Sequence, residues 1–160
     1  MLINNAGINL KDQPDKARFH RVFDFDVDEM QLMLRINALR PISLVRELLP
    51  LLERGEPGRI LNISSWLGSI GEKQSPGHYG YAGSKALLNM LTRALALEVA
   101  GRGVYAAAVN PGWMRTRMGG DRAELTPDES AASIIRHVLE VLDDTRTGGF
   151  YNRDGTEHPW

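Results

Sequence analysis

Tyr81 and Lys85, in the stretch Tyr81-Ala82-Gly83-Ser84-Lys85, set a phenol and an ammonium four residues apart, on one face of a helix. A free tyrosine has a pKa near ~10 and exchanges protons poorly at neutral pH, but a nearby cation favours the phenolate and lowers that value. The pair therefore predicts a proton donor for a carbonyl or alcohol oxygen. Tyr79 competes for the role, yet Gly83 stands four residues after it and offers no charge. In a chain with four tyrosines a Tyr-x-x-x-Lys is a weak signal alone, so the elements around it must carry the case.

Residues 59–65, Arg59-Ile60-Leu61-Asn62-Ile63-Ser64-Ser65, read as a buried strand ending in two hydroxyls, and ligands in open α/β sheets sit beyond such strand ends. The apolar run over 104–109 predicts a second strand, ending in the turn-forming Asn110-Pro111-Gly112-Trp113-Met114-Arg115-Thr116. A strand stub over 1–4 leads into Asn4-Asn5-Ala6-Gly7, and the polar stretch over 11–21 lacks periodicity and predicts a loop. From Asp28, apolar residues from Met30 to Leu52 recur at three- and four-residue steps until Gly55 and Pro57-Gly58 stop the helix. Pro41 breaks that helix in the middle: it has no amide proton, so the Asn37 carbonyl loses its helical partner.

Residues 71–80 predict a glycine-rich loop, and a helix follows over about 81–100. That helix carries Leu87, Leu88, Met90, Leu91, Leu95, Leu97 and Val99 around most of its circumference, so it needs cover on two sides. Thr126-Pro127-Asp128-Glu129 is a helix start with a cap, a first-turn proline and a glutamate three after the cap. Ala131, Ile134, Ile135, Val138, Leu139 and Leu142 are expected on its buried face. A last strand over 149–152 precedes Arg153-Asp154-Gly155 and a short tail.

The chain has 160 residues, of which 42% are hydrophobic, enough for one soluble globular domain with a core. A formal charge of -1 with interspersed signs argues against nucleic acid and anionic membranes as partners. Zero cysteines exclude disulfides, thiolate zinc sites and a cysteine nucleophile, and suit a cytoplasmic protein. No run is long enough to span a membrane, and the first residues do not form a signal peptide. His20, His78, His137 and His158 have no metal-ligand spacing, and no metal site is expected. Arg115 and Arg117 fall in a predicted loop and read as solvated charge.

In their order along the chain, Asn4-Asn5-Ala6-Gly7, the strand-end serines, Tyr81-x-x-x-Lys85 and Pro111-Gly112 closely resemble the marks of the short-chain dehydrogenase/reductase family. The resemblance covers essentially the whole chain. It implies an α/β fold, the C-terminal part of a doubly wound Rossmann-like parallel sheet, as a single partial NAD(P)-binding domain over 1–160. The family's Gly-x-x-x-Gly-x-Gly is absent, and Met1 falls where family members have their fourth strand. The first βαβαβ half, roughly 80 residues, is therefore expected to be lacking. Met1 reads either as an internal methionine taken for a start or as the start of a genuine short form.

The resemblance further implies an oxidoreductase transferring hydride between NAD(P)(H) and a small carbonyl or alcohol substrate, with Asn37, Ser65, Tyr81 and Lys85 catalytic. In the family the second hydroxyl of such a pair binds the reacting oxygen, which favours Ser65 over Ser64. The asparagine matching Asn37 holds, through its main-chain carbonyl, a water that relays protons to the lysine. Asn5, Ala6, Gly7, Tyr81, Lys85, Pro111, Gly112 and Thr116 are expected to bind the cofactor. Ser65 precedes Tyr81 by 16 residues, a few more than usual, so the substrate loop is expected to have its own shape. The tail resembles a carbonyl-reductase-like subgroup, which favours NADP over NAD. A full-length form is expected to be a homodimer or homotetramer pairing its long helices. The alternative is a catalytically inactive fragment or an interaction protein, since the phosphate-binding turn is missing and an unpaired edge strand invites association. A serine hydrolase is disfavoured because no Gly-x-Ser-x-Gly surrounds Ser65.

Overall fold

Four short, largely apolar segments pair side by side in a computed structural model that describes residues 1–10, 22–24 and 26–160. The loop predicted over 11–21, with His20, lies outside the described residues. The strands are β1 (Leu2–Asn4), β2 (Gly58–Ile63), β3 (Val104–Asn110) and β4 (Phe150–Asn152), in the order β1-β2-β3-β4. All pairings are parallel, with Ile3 opposite Leu61, Leu61 opposite Ala107 and Ala108 opposite Phe150. Parallel strands are covered on both faces and so read as continuous apolar runs. Ile60, Leu61 and Ala106 to Val109 are accordingly fully buried.

Alternate strand residues face opposite sides, and each side has its own helices. On one side Ile60, Val104 and Ala106 pack against α2 (Arg40–Leu52) and α3 (Tyr79–Glu98) through Val45, Leu52, Leu95, Ala96 and Val99. On the other, Leu61, Ala107 and Val109 meet Ile134, Val138, Leu139 and Leu142 from α4 (Pro127–Ile134) and the turn after it. α1 (Val27–Leu34) packs on α3, where Gly80 leaves space for Met33: a Cβ there would lie 2.1 Å from Met33 Cε.

The break expected at Pro41 is a π-helical turn instead. The chain runs without interruption from α1 through Arg35–Leu39 into α2, and the Arg40 amide donates to the Arg35 carbonyl five residues back. Pro41 comes directly after that turn, so the wide turn falls where proline removes a helical donor. α1 starts at Val27, capped by Asp26, whose Oδ1 accepts from the Glu29 amide at 3.0 Å. α4 begins as expected, with Thr126 and Glu129 bonded reciprocally in a capping box. A second π turn, Ile135–Leu139, follows it. This turn spreads the helical period, so Ile134, Val138, Leu139 and Leu142 fill the sheet face, while Ala131 and Ile135, both expected there, are exposed. Met90 and Leu97 on α3 are each 66% exposed.

Candidate active site

The site forms where β2 and β3 end. The Ser64 amide still pairs with the Val109 carbonyl at 2.8 Å. At Ser65 the backbone is extended, and a single tight turn, Trp66–Gly68, follows. The two hydroxyls then part. Ser64 Oγ turns inward and donates to Asn89 Oδ1 at 2.6 Å. Ser65 Oγ caps the turn, accepting from the Leu67 amide at 3.2 Å, and also bonds the Tyr81 phenol.

Tyr81 stands in the first turn of α3, which starts at Tyr79. Just before it, His78 has φ 58°, in the left-handed region that non-glycine residues adopt sparingly and that recurs at functional sites. Burial pushes the Tyr81 phenol above its ordinary range, and the Ser65 hydrogen bond pulls it partly back. This corrects the expectation that Lys85 lowers it. The Lys85 ammonium lies 5.8 Å from the ring centroid and donates to the Ile63 carbonyl at 2.7 Å. Desolvation, which penalises any phenolate, is the stronger effect. The same burial lowers Lys85 itself to about 8.

Asn37 is buried inside the first π turn. Its side chain clamps residue 8, accepting from the Ile8 amide at 2.8 Å and donating to the Ile8 carbonyl at 2.9 Å. It also donates to Ser84 Oγ at 2.9 Å, and Ser84 Oγ donates to the Tyr81 carbonyl at 2.7 Å. Asn37 thus ties the segment after β1 to the turn of α3 that bears Tyr81. Gly7 lies against this group: a Cβ there would be 3.5 Å from Asn37 Oδ1 and 3.6 Å from Lys85 Nζ. Asn5 and Ala6 are exposed at the end of β1.

Across from Tyr81, the turn after β3 supplies the facing wall. Asn110 Oδ1 accepts from both the Gly112 and Trp66 amides at 3.2 Å. Gly112 has φ +79°, so its backbone conformation calls for glycine. Thr116 Oγ1 accepts from the Gly119 amide at 3.0 Å. Ser65, Tyr81, Pro111, Gly112 and Thr116 together line one cleft of about 930 Å³. Lys85, Asn37 and Gly7 form a second group outside that lining, and Asn5 and Ala6 join neither. Among the described residues, no three His, Cys, Asp or Glu are grouped to hold a metal ion, and no helix is long and apolar enough to cross a membrane.

Asn89, Ser84 and the side chain of Asn110 carry no role in the motifs above, yet each holds part of the site. A signal for the first existed: Lys85, Asn89 and Thr92 recur at helical spacing and form a polar stripe along an apolar helix.

The family profile described as short chain dehydrogenase matches residues 1–126. The C-signal of Myxococcus xanthus is 33% identical over 160 residues, spanning 100% of this chain and 92% of that protein. The structure resembles the carbonyl reductase Sniffer of D. melanogaster with a TM-score of 0.91 and 32% identity, over 99% of this chain and 66% of that one. It also resembles the NADPH-bound carbonyl reductase from chicken fatty liver, with a TM-score of 0.86, 32% identity and coverage of 99% and 64%. The chain thus spans nearly the length of the first relative and just under two thirds of each reductase.

Proposed function

The chain belongs to the short-chain dehydrogenase family, in its carbonyl-reductase-like type, and we propose that it transfers hydride between a nicotinamide cofactor and a small carbonyl or alcohol substrate. The observation that carries this reading is the hydrogen bond between Ser65 and Tyr81 at the wall of an open cleft. A general acid must hold its proton until the reacting oxygen takes it. A phenol raised by burial does so throughout the neutral range.

The residues present suit a nicotinamide. Lys85 gives one donor to the Ile63 carbonyl and has two more to offer. Gly7 presents no side chain beside it, and the Pro111-Gly112 turn with Thr116 lines the cleft opposite. Gly7, Tyr81, Lys85, Pro111, Gly112 and Thr116 would hold that end of the cofactor, with Asn5 and Ala6 towards its adenosine side. NADP is preferred, as the NADPH-bound chicken relative supports. The bound cofactor supplies the hydride. Ser65 holds the carbonyl oxygen and stabilises charge there. Tyr81 Oη gives its proton to that oxygen, and Lys85 restores it, itself resupplied through a water that the Asn37 main-chain carbonyl would hold. We place the protein in the cytoplasm. The protein would associate with a second copy through α3, where Met90 and Leu97 are each 66% exposed.

A second reading is a form without catalysis that acts by association. It is favoured by β1 standing at the edge of the sheet and by the name C-signal of a relative covered over 92% of its length. One experiment separates the two. The protein is titrated with NADPH and NADH and then mixed with a panel of aldehydes and ketones while cofactor absorbance is followed. Tighter NADPH binding and its consumption with at least one carbonyl compound are expected. Absence of both would leave only the second reading.

A further inference from the structure

Directly after β2 the chain makes the tight turn Trp66–Gly68, and side chains from elsewhere fasten it at three points. At its start the Ser64 hydroxyl donates to Asn89 Oδ1 at 2.6 Å, and at its end the Gly68 carbonyl accepts from Asn89 Nδ2 at 3.3 Å. One amide therefore closes both ends. In the middle the Trp66 amide donates to Asn110 Oδ1 at 3.2 Å, and Asn110 is braced in turn through Nδ2 to Asn152 Oδ1 at 3.0 Å. Ser64 and Asn89 are each 2% exposed, so releasing either would strand a buried polar atom. Packing presses the turn onto α3: a Cβ on Gly68 would lie 2.9 Å from both the main-chain carbonyl carbon and the Cβ of Lys85.

We propose that Asn89, assisted by Asn110, is a positioning residue that sets the Ser65 hydroxyl against the Tyr81 phenol by fastening the 64–68 turn to α3. Asn89 lies one helical turn beyond Lys85 and two beyond Tyr81, so the helix that carries the proton donor also fixes its partner. Any drift of α3 takes Ser65 with it. Purely apolar packing would hold the turn in place without fixing the direction of one hydroxyl, whereas these hydrogen bonds fix one side-chain oxygen and two backbone atoms around it. The catalytic half of this inference rests on the oxidoreductase reading.

The test uses the whole chain labelled with 5-fluorotryptophan. Its three tryptophans separate the regions: Trp66 neighbours Ser65, Trp113 lies in the facing wall, and Trp160 packs on Phe150 in the tail. Asn89→Ala and the milder Ser64→Ala are compared with wild type by fluorine NMR and by steady-state kinetics, with Ser64→Thr as the variant that keeps the donor. We expect the Trp66 signal to shift or broaden in both alanine variants while Trp160 stays, and kcat to fall about tenfold to a hundredfold with KM within about twofold. Ser64→Thr should recover most of the rate. An unmoved Trp66 signal in a folded variant overturns the proposal, as does a moved signal with undiminished kcat. If Asn89→Ala does not fold, Ser64→Ala decides. A wild-type protein that binds no cofactor and turns over no carbonyl compound would overturn the oxidoreductase reading, while the Trp66 signal still decides the fastening.

Discussion

One buried stripe of α3 changes character along its length. Lys85, Asn89 and Thr92 make its first half, and Leu95, Ala96 and Val99 make its second. The two halves face two parts of the same strand. The second half joins Ile60, Val104 and Ala106 in an apolar cluster with Val45 and Leu52. The first half meets β2 through single bonds: Lys85 to the Ile63 carbonyl, Asn89 to Ser64, and Thr92 Oγ1 accepting from Asn62 Nδ2 at 2.8 Å. Apolar burial is strong and non-directional, and it tolerates swaps of similar volume. Hydrogen bonds add less net stability, yet each fixes the place of an atom. The second half thus supplies stability, and the first half gives some of it up to hold polar groups at the strand ends where ligands bind.

That division can be broken or sharpened by substitution. Lys85→Met should cut the rate of carbonyl reduction by about a hundredfold. Its Tm should not fall, because the change removes a buried cation; a large loss of Tm would place Lys85 with the stabilising half. Leu95→Ala should show the reverse, a loss of about 3 kcal/mol in denaturant unfolding with kcat unchanged in the folded protein. A fall in kcat there would erase the boundary.

Alkaline pH separates the halves again. Lys85 titrates at about 8 in the fold against 10.5 when free, so between those values the unfolded chain binds the extra proton and stability rises with pH. Below about 8 both states are protonated and the full cost of the buried cation is present. Unfolding free energies at several pH values should therefore show wild type gaining on Lys85→Met by on the order of 3 kcal/mol across that window. The raised Tyr81 is common to both proteins and cancels in the difference. A pH-independent difference would mean that the ammonium is better solvated than its burial suggests.

The smallest effect belongs to Thr92, where the stripe changes over. Thr92→Val leaves Asn62 Nδ2 without its acceptor and should cost about 1–2 kcal/mol, with a rate within about threefold of wild type. A tenfold rate loss would extend the catalytic half of the helix by a full turn.

The same stripe shows what was legible in the sequence. The strands, the helices and the Thr126 cap are local patterns, and they stand within a few residues of where periodicity and capping chemistry put them. Tyr81, Lys85 and Ser65 were legible because they lie in short motifs. Asn89 was half legible, because it shares a polar stripe with Lys85 and Thr92, but the partner that gives it a role, Ser64, lies 25 residues away. The π turn at Asn37 was half legible, because Pro41 marked an irregularity but gave neither its type nor the clamp on Ile8. The π turn at Ile135–Leu139 has no proline, so a simple 3.6-residue period placed Ala131 and Ile135 inside. The Tyr81 shift was misread because spacing reveals a nearby charge and says nothing of desolvation, which here is the larger effect.

The central claim is that Tyr81 gives its proton to a carbonyl oxygen held by Ser65, and removing one atom tests it. Tyr81→Phe, made in the protein as its native source produces it, should lower the rate of NADPH-dependent carbonyl reduction by about 10²- to 10⁴-fold while NADPH binds within about twofold of wild type. Reduction at the wild-type rate by Tyr81→Phe would contradict the account.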